Sequence, residues 1–187
     1  MKKVFATVAL AVFSLLGASV AFSAQEKTTM VGGQAMHPSK DIIDNAVNSA
    51  DHTTLVAAVK AAGLVETLKG PGPFTVFAPT NEAFAKLPQG TVETLLKPEN
   101  HSTLVKILTY HVVAGRLSTA ALRKQIRAGN GHAMLKTVSG GTLTVMMNGD
   151  DNFAIKDEKG NVANLTISNV FQSNGVIQVI DSVLLPN

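Results

Sequence analysis

The sequence has no cysteine, no tryptophan and a single tyrosine in 187 residues. Without thiols there is no disulfide, no zinc thiolate centre, no thiol redox couple and no cysteine nucleophile. Nor is there a cysteine to carry the lipid of a lipoprotein anchor. The core alone must hold the fold together. A mature chain of about 160 residues can do so, since a domain of that size buries roughly 70% of its unfolded surface. With so few large aromatics, stacking platforms for sugars or single-stranded bases are scarce.

Charge of one sign is also in short supply. The chain carries 16 basic and 13 acidic residues. Two of the basic ones, Lys2 and Lys3, open an export signal: "MKK" is followed by the apolar run "VFATVALAVFSLLGASVAF" and small residues that permit cleavage after Ala21 or Ala24. The run is nearly long enough to span a bilayer, for which ~20 residues are needed. The small-residue sites and the polar tail directly after it favour a cleaved signal over an anchor. The expected destination is secreted or periplasmic, with no stable membrane anchor in the mature form. Removing the two lysines leaves 14 basic against 13 acidic residues. The electrostatic footprint of a nucleic-acid binder is therefore missing, and no nucleic-acid partner is expected.

What is present begins with "QEKTTMVGGQAMHPS" (25–39), polar and aperiodic, which reads as a flexible leader. Helical spacing follows. Ile42, Ile43, Ala46 and Val47 share one face, with Ser39 and Asp41 as a start. Leu55, Val56, Val59 and Ala62 share another, within a helix expected over 51–70. "PGPFTVFAPT" reads as a strand and "TNEAFAKLP" as a short helix capped by Thr80. "STLVKILTYHVVAG" places Leu104, Ile107, Leu108 and His111 on one helical face, with Gly115 as its stop. A last helix starts at Ser118.

From His132 the period becomes two. Leu143, Val145 and Met147 alternate with Thr142, Thr144 and Met146, and Ala163, Leu165 and Ile167 alternate with Asn164, Thr166 and Ser168. "NGVIQVIDSVLLP" is an apolar run of the kind found in strands buried on both faces. Helices followed by strands argue for an α+β fold.

Catalytic and metal patterns are missing. There is no Gly-x-Ser-x-Gly elbow, no His-Glu-x-x-His and no EF-hand spacing. The acidic stretch "NGDDNFAIKDEKGN" reads as two hairpin turns, whose Asn, Asp and Gly supply positive φ, and not as a calcium loop. No metal or cofactor is expected. Asp181, in the final apolar run, must be paired or hydrogen-bonded and reads as a structural acceptor.

Two groups of residues are candidate contact sites. Between Glu99 and Asp150 there is no acid, while Arg116, Arg123, Lys124, Arg127 and Lys136 all fall there. They are either a solvated face or a surface for an anionic polymer or membrane. Arg123 and Arg127, four apart, should share an exposed helical face. The other candidate is Tyr110-His111. The histidine continues an apolar face and should point inward, where its ring must find partners. The tyrosine lies about 100° around the helix, so its hydroxyl should stay wet and make it the better outward contact.

Three stretches, in order, resemble the fasciclin domain family: "FTVFAPTNEAFAKLP" (74–88), the Tyr-His block "ILTYHVVAG" (107–115) and "SNGVIQVIDSVLLP" (173–186). The resemblance implies a β-wedge or sandwich of about seven strands flanked by helices, occupying 40–187 after a signal at 1–24 and a leader at 25–39. It also implies an extracytoplasmic adhesion or surface-interaction protein, not an enzyme, whose partner is a protein or polysaccharide at the cell surface. In animal members the Tyr-His motif is implicated in integrin binding. The matching positions here are Tyr110 and His111, flanked by Ile107, Leu108, Val112 and Val113. The alternative function is a carrier of an apolar small ligand. A hydrolase would need a serine or aspartate bonded to an exposed histidine.

Overall fold

The computed structural model describes residues 28–187. The export signal expected at 1–24 lies outside the described residues.

The first element is a hairpin. β1 (Thr29–Val31) and β2 (Gln34–Met36) pair antiparallel across Gly32 and Gly33, at φ 56° and 74°. A two-residue turn of this hand needs positive φ at both positions, which Gly-Gly adopts without steric cost. Val31 and Met36 are buried in the core. The expected flexible leader is therefore, from Thr29 onward, part of the folded unit. Strands of three residues are too short for alternation to reveal, and "VGGQ" was the available signal.

α1 (Ile42–Ala46) is capped by Asp41, whose carboxylate accepts from the Asp44 amide. Its inward residues are Ile42, Ile43 and Asn45, while Val47 is exposed, contrary to the apolar spacing. Asn45 is buried because it accepts from the His37 amide and donates to the His37 carbonyl, fastening β2 to the helix. α2 (Thr53–Ala61) and α3 (Val65–Lys69) replace the single helix expected over 51–70, since Gly63 turns the chain at φ 66°. α4 (Asn81–Ala85) has Thr80 as its cap, as expected. α5 (Thr91–Leu95) buries no residue, so it has no apolar period to read. α6 (His101–Tyr110) and α7 (Thr119–Ala128, capped by Ser118) complete the helices.

The strands β3 (Phe74–Pro79), β4 (Val112–Ala114), β5 (His132–Lys136), β6 (Thr142–Asn148), β7 (Asn152–Lys156), β8 (Val162–Gln172) and β9 (Gly175–Ile180) form one mixed sheet in the order β4-β3-β9-β8-β7-β6-β5. Only β3 and β9 run parallel. A bridge between Val113 and Thr137 joins the two ends, so the sheet nearly closes into a barrel. β9 is buried along its whole length, as its unbroken apolar run implied. Both acidic turns are hairpin turns, with Gly149 and Gly160 at φ 79° and 89°. Two register shifts in β8 reverse its alternation. Leu165 thus packs in one core, while Ile167, two residues on, packs against the other together with Val170.

Two cores result. One lies between the helices and the outer face of β3 and β9, around Leu55, Val59, Val76, Val170 and Ile177. The other fills the inside of the curved sheet, around Phe77, Leu122, Val145, Ile155 and Leu184. The corner from α6 into β4 sits between them. Leu104, Ile107, Leu108 and Val112 belong to the first core, Tyr110 and Val113 to the second.

Candidate functional site

The Tyr-His block does not form one helix. α6 ends at Tyr110, His111 caps it at φ −81°, and Val112–Ala114 pair with β3 in the register Val76↔Val112. Val112 and Val113 are apolar at both helical and strand spacing. Pairing with β3, and their β-branching, decide for the strand. Gly115 follows at φ 99° and closes the strand, not a helix.

Tyr110 has no exposed surface, and the expectation of a wet hydroxyl is overturned. Its Oη donates to the Thr142 carbonyl at 2.9 Å and accepts from the Glu158 amide at 3.0 Å. The Glu158 carboxylate in turn accepts from the Thr142 amide at 2.9 Å. One phenol thus ties the end of α6 to the start of β6 and to the β7–β8 turn. Burial pushes its pKa up to about 12. The ring needs Gly141 beside it, because a Cβ there would lie 2.6 Å from Cε2. Tyr110→Phe removes partners from the Glu158 amide and the Thr142 carbonyl. It should cost about 1–3 kcal/mol, the range for stranded buried groups. Urea midpoints check this; an unshifted midpoint would show that water reaches both groups.

His111 is 2% exposed and points inward, as its place on the apolar face required. Nδ1 lies 2.8 Å from the Ile107 carbonyl and Nε2 lies 3.0 Å from the Leu184 amide. Both bonds form only if the proton sits on Nδ1, which donates, while Nε2 accepts. Burial holds this imidazole neutral and pushes its pKa down to about 4. Ile107, Leu108, Val112 and Val113 are buried as well. The six positions named by the Tyr-His motif therefore form an internal joint, and none of them stands on the surface.

The cationic candidates divide. Arg116 donates to the Gln172 and Ser173 carbonyls at 3.0 Å each. Arg123 pairs with Asp151 at 2.7 Å, donates to the Asp150 carbonyl, and lies 5.5 Å over the Phe153 ring. The acids missing from its stretch of sequence come from the β6–β7 turn. Arg123 does not share the full exposure of Arg127 as their spacing suggested. Lys124, Arg127 and Lys136 are exposed and join none of the ion pairs among the described residues.

Asp181 accepts from the Asn164 amide and side chain at 2.8 and 3.0 Å, with Lys86 beside it. Partial burial would raise its pKa, but the Asn164 donors, Ser182 and Lys86 outweigh that and hold it below the usual value. It is a structural acceptor joining β8 to the end of β9.

The carrier alternative named no residues to line a pocket. An apolar cavity of about 70 Å³ lies in the first core, lined by residues from α1, α2, α3, β3 and β9, including Leu55, Val59, Val76 and Ile177. His52 is on its wall, 3% exposed, with Nδ1 2.8 Å from Ser49 Oγ. Burial lowers its pKa, against the Ala78 backbone and Asp51, which favour the charged form. The nearby Ala78 backbone does not complete a hydrogen bond to Nε2. No periodicity foretells a cavity, which depends on how three helices meet one sheet.

Helices packed on a nearly closed mixed sheet, with a buried Tyr-His joint at the corner between them, define an α+β wedge. The chain belongs to the fasciclin family: the Fasciclin domain profile matches residues 50–186. It is 45% identical to Protein sll1483 of Synechocystis, over 98% of this chain and 96% of that protein. It is 34% identical to the cell surface glycolipoprotein MPB83 of Mycobacterium bovis, covering 92% of this chain and 72% of the relative. Among solved structures, a FAS1 domain pair from the insect cell adhesion molecule Fasciclin I matches 84% of this chain with TM-score 0.61 and 18% identity. This chain spans 57% of that domain pair.

Proposed function

We propose that the protein is an extracytoplasmic surface-association module that works without catalysis, contacting a protein or polysaccharide of the cell envelope. The observation that carries this reading is kinship with proteins named for the cell surface and for cell adhesion. The apolar run after "MKK" supports secretion or delivery to the periplasm. The chemistry of the site agrees with a non-enzyme. Ser49 and His52, a bonded serine–histidine pair, are 2% and 3% exposed, and both ring nitrogens of His111 are spent on backbone groups.

With the Tyr-His block buried, the contact surface has to lie elsewhere. Lys124, Arg127 and Lys136 are the candidate cations left free to meet an anionic envelope polymer. Retention on an anionic polysaccharide should fall steeply with salt, because exposed charges are screened beyond ~8 Å at physiological ionic strength. Lys124→Glu with Arg127→Glu should reduce that retention and leave the urea midpoint unchanged. Arg123 is unsuitable for this test, since its pairing with Asp151 and Phe153 makes it part of the fold. Retention that ignores both salt and the double substitution would move the contact to an uncharged surface.

A second reading, carriage of an apolar small ligand, is favoured by the apolar cavity beneath α2. Solvent extraction of protein purified from its native host, with mass spectrometry of the extract, tests it.

A further inference from the structure

The cavity narrows the ligand class. Its volume, about 70 Å³, is less than half of the roughly 150 Å³ that accommodates benzene in an engineered protein cavity. A ring does not fit without displacing side chains, whereas the tip of a flexible alkyl chain does. The accessible wall is apolar throughout, so a polar or charged group seated inside would lose its hydration without recovering hydrogen bonds.

The wall is not wholly interior. Among its lining residues, Val56 and Thr109 are half-buried, and Lys60 and Val138 are exposed. Val138 is 51% exposed, an apolar side chain in solvent beside an apolar cavity. Lys60 is the cation on this rim. The ion pairs of the described residues join Lys69 to Asp41 and Asp44, Lys86 to Asp181, and Arg123 to Asp151, leaving Lys60 out. A lysine so placed lays its methylenes along an apolar edge and holds its ammonium at the water boundary.

From this arrangement we infer that the cavity binds a single-chain anionic amphiphile. The chain tip enters between α2 and β3, the chain leaves past Val56 and Val138, and the head group meets Lys60. This rests on the carrier reading and adds the ligand class to it. A chain longer than the cavity stays partly outside, covering the exposed Val138. A neutral head would gain nothing from Lys60.

Calorimetric titration of the purified protein with dodecanoate, dodecanol and dodecane tests the assignment, each kept below its aggregation or solubility limit. Dodecanoate should bind at one site, at least fivefold more tightly than dodecanol. Lys60→Glu, on the exposed rim, should weaken dodecanoate at least tenfold and leave dodecanol unchanged. Val59→Phe, which fills the cavity, should weaken both. Dodecanol or dodecane binding as tightly as dodecanoate, with Lys60→Glu without effect, would overturn the anionic class and leave the carrier reading standing. Binding of none of the three would overturn both. Dodecanoate binding unmoved by either substitution would place the chain elsewhere and overturn the site.

Discussion

His111→Ala should lower the unfolding free energy by about 2–4 kcal/mol, combining a cavity between the two cores with two stranded backbone groups. The larger part is expected from the Leu184 amide, which is fully buried and has the imidazole Nε2 as its acceptor. The Ile107 carbonyl loses its Nδ1–H donor as well. The damage should not stop at the corner. Residues from Val183 onward are held by a row of such bonds: Leu184 to His111, Leu185 to the Asp157 carboxylate, and Asn187 to Glu158. Hydrogen exchange of the Leu184, Leu185 and Asn187 amides should therefore quicken in the variant more than exchange in β6 or β7. An unchanged denaturant midpoint would mean that the ring is dispensable to both cores.

Acid should act through the same residue. An unfolded histidine titrates near 6.5, while the folded His111 is pushed down to about 4. Below pH 6.5 the unfolded chain takes up a proton that the folded chain refuses, so protonation favours unfolding. Stability is complete above the unfolded value, falls as pH drops through the window from 6.5 to 4, and stops falling on this account below it. The loss across the window should be about 3 kcal/mol. His52, also lowered by burial, adds in the same direction. The carboxylates held low, Asp181 and Asp44, act below the ordinary aspartate value of about 3.9 and leave this window clear. Unfolding free energies measured at intervals from pH 7.5 to 4 check the slope. In His111→Ala most of it should vanish, and a slope equal to the parent's would assign the acid sensitivity to other groups.

Where the sequence was legible, a single element carried its own signal. Ser118 and Thr80 announced their helices by capping chemistry, the alternation of Leu143 and Val145 marked β6, and the unbroken run after Gly175 marked a strand covered on both faces. Where it failed, the deciding partner was distant in the chain. The strand at Val112 is fixed by β3, and the phenol of Tyr110 is claimed by backbone 32 and 48 residues away. Arg123 is neutralised by a turn 28 residues later. Inward direction was predictable for His111, since helical spacing alone sets it. For Tyr110, one step further around, burial depended on whether anything covered that side, and β6 with the β7–β8 turn does.

The placement of β9 has a consequence for the order of events in the cell. Its neighbours are β3 and β8, and its parallel register with β3 joins residues 74–79 to residues 175–180. A chain emerging from the ribosome holds β3 for about a hundred residues before its parallel neighbour exists. Until then the middle of the sheet cannot close, and contacts this far apart in sequence form slowly. Such a polypeptide keeps the middle of its sheet open for nearly all of its synthesis. The same delay leaves the two-sided apolar face of β3 without cover, so a chaperone that holds it until β9 emerges would prevent pairing between nascent copies.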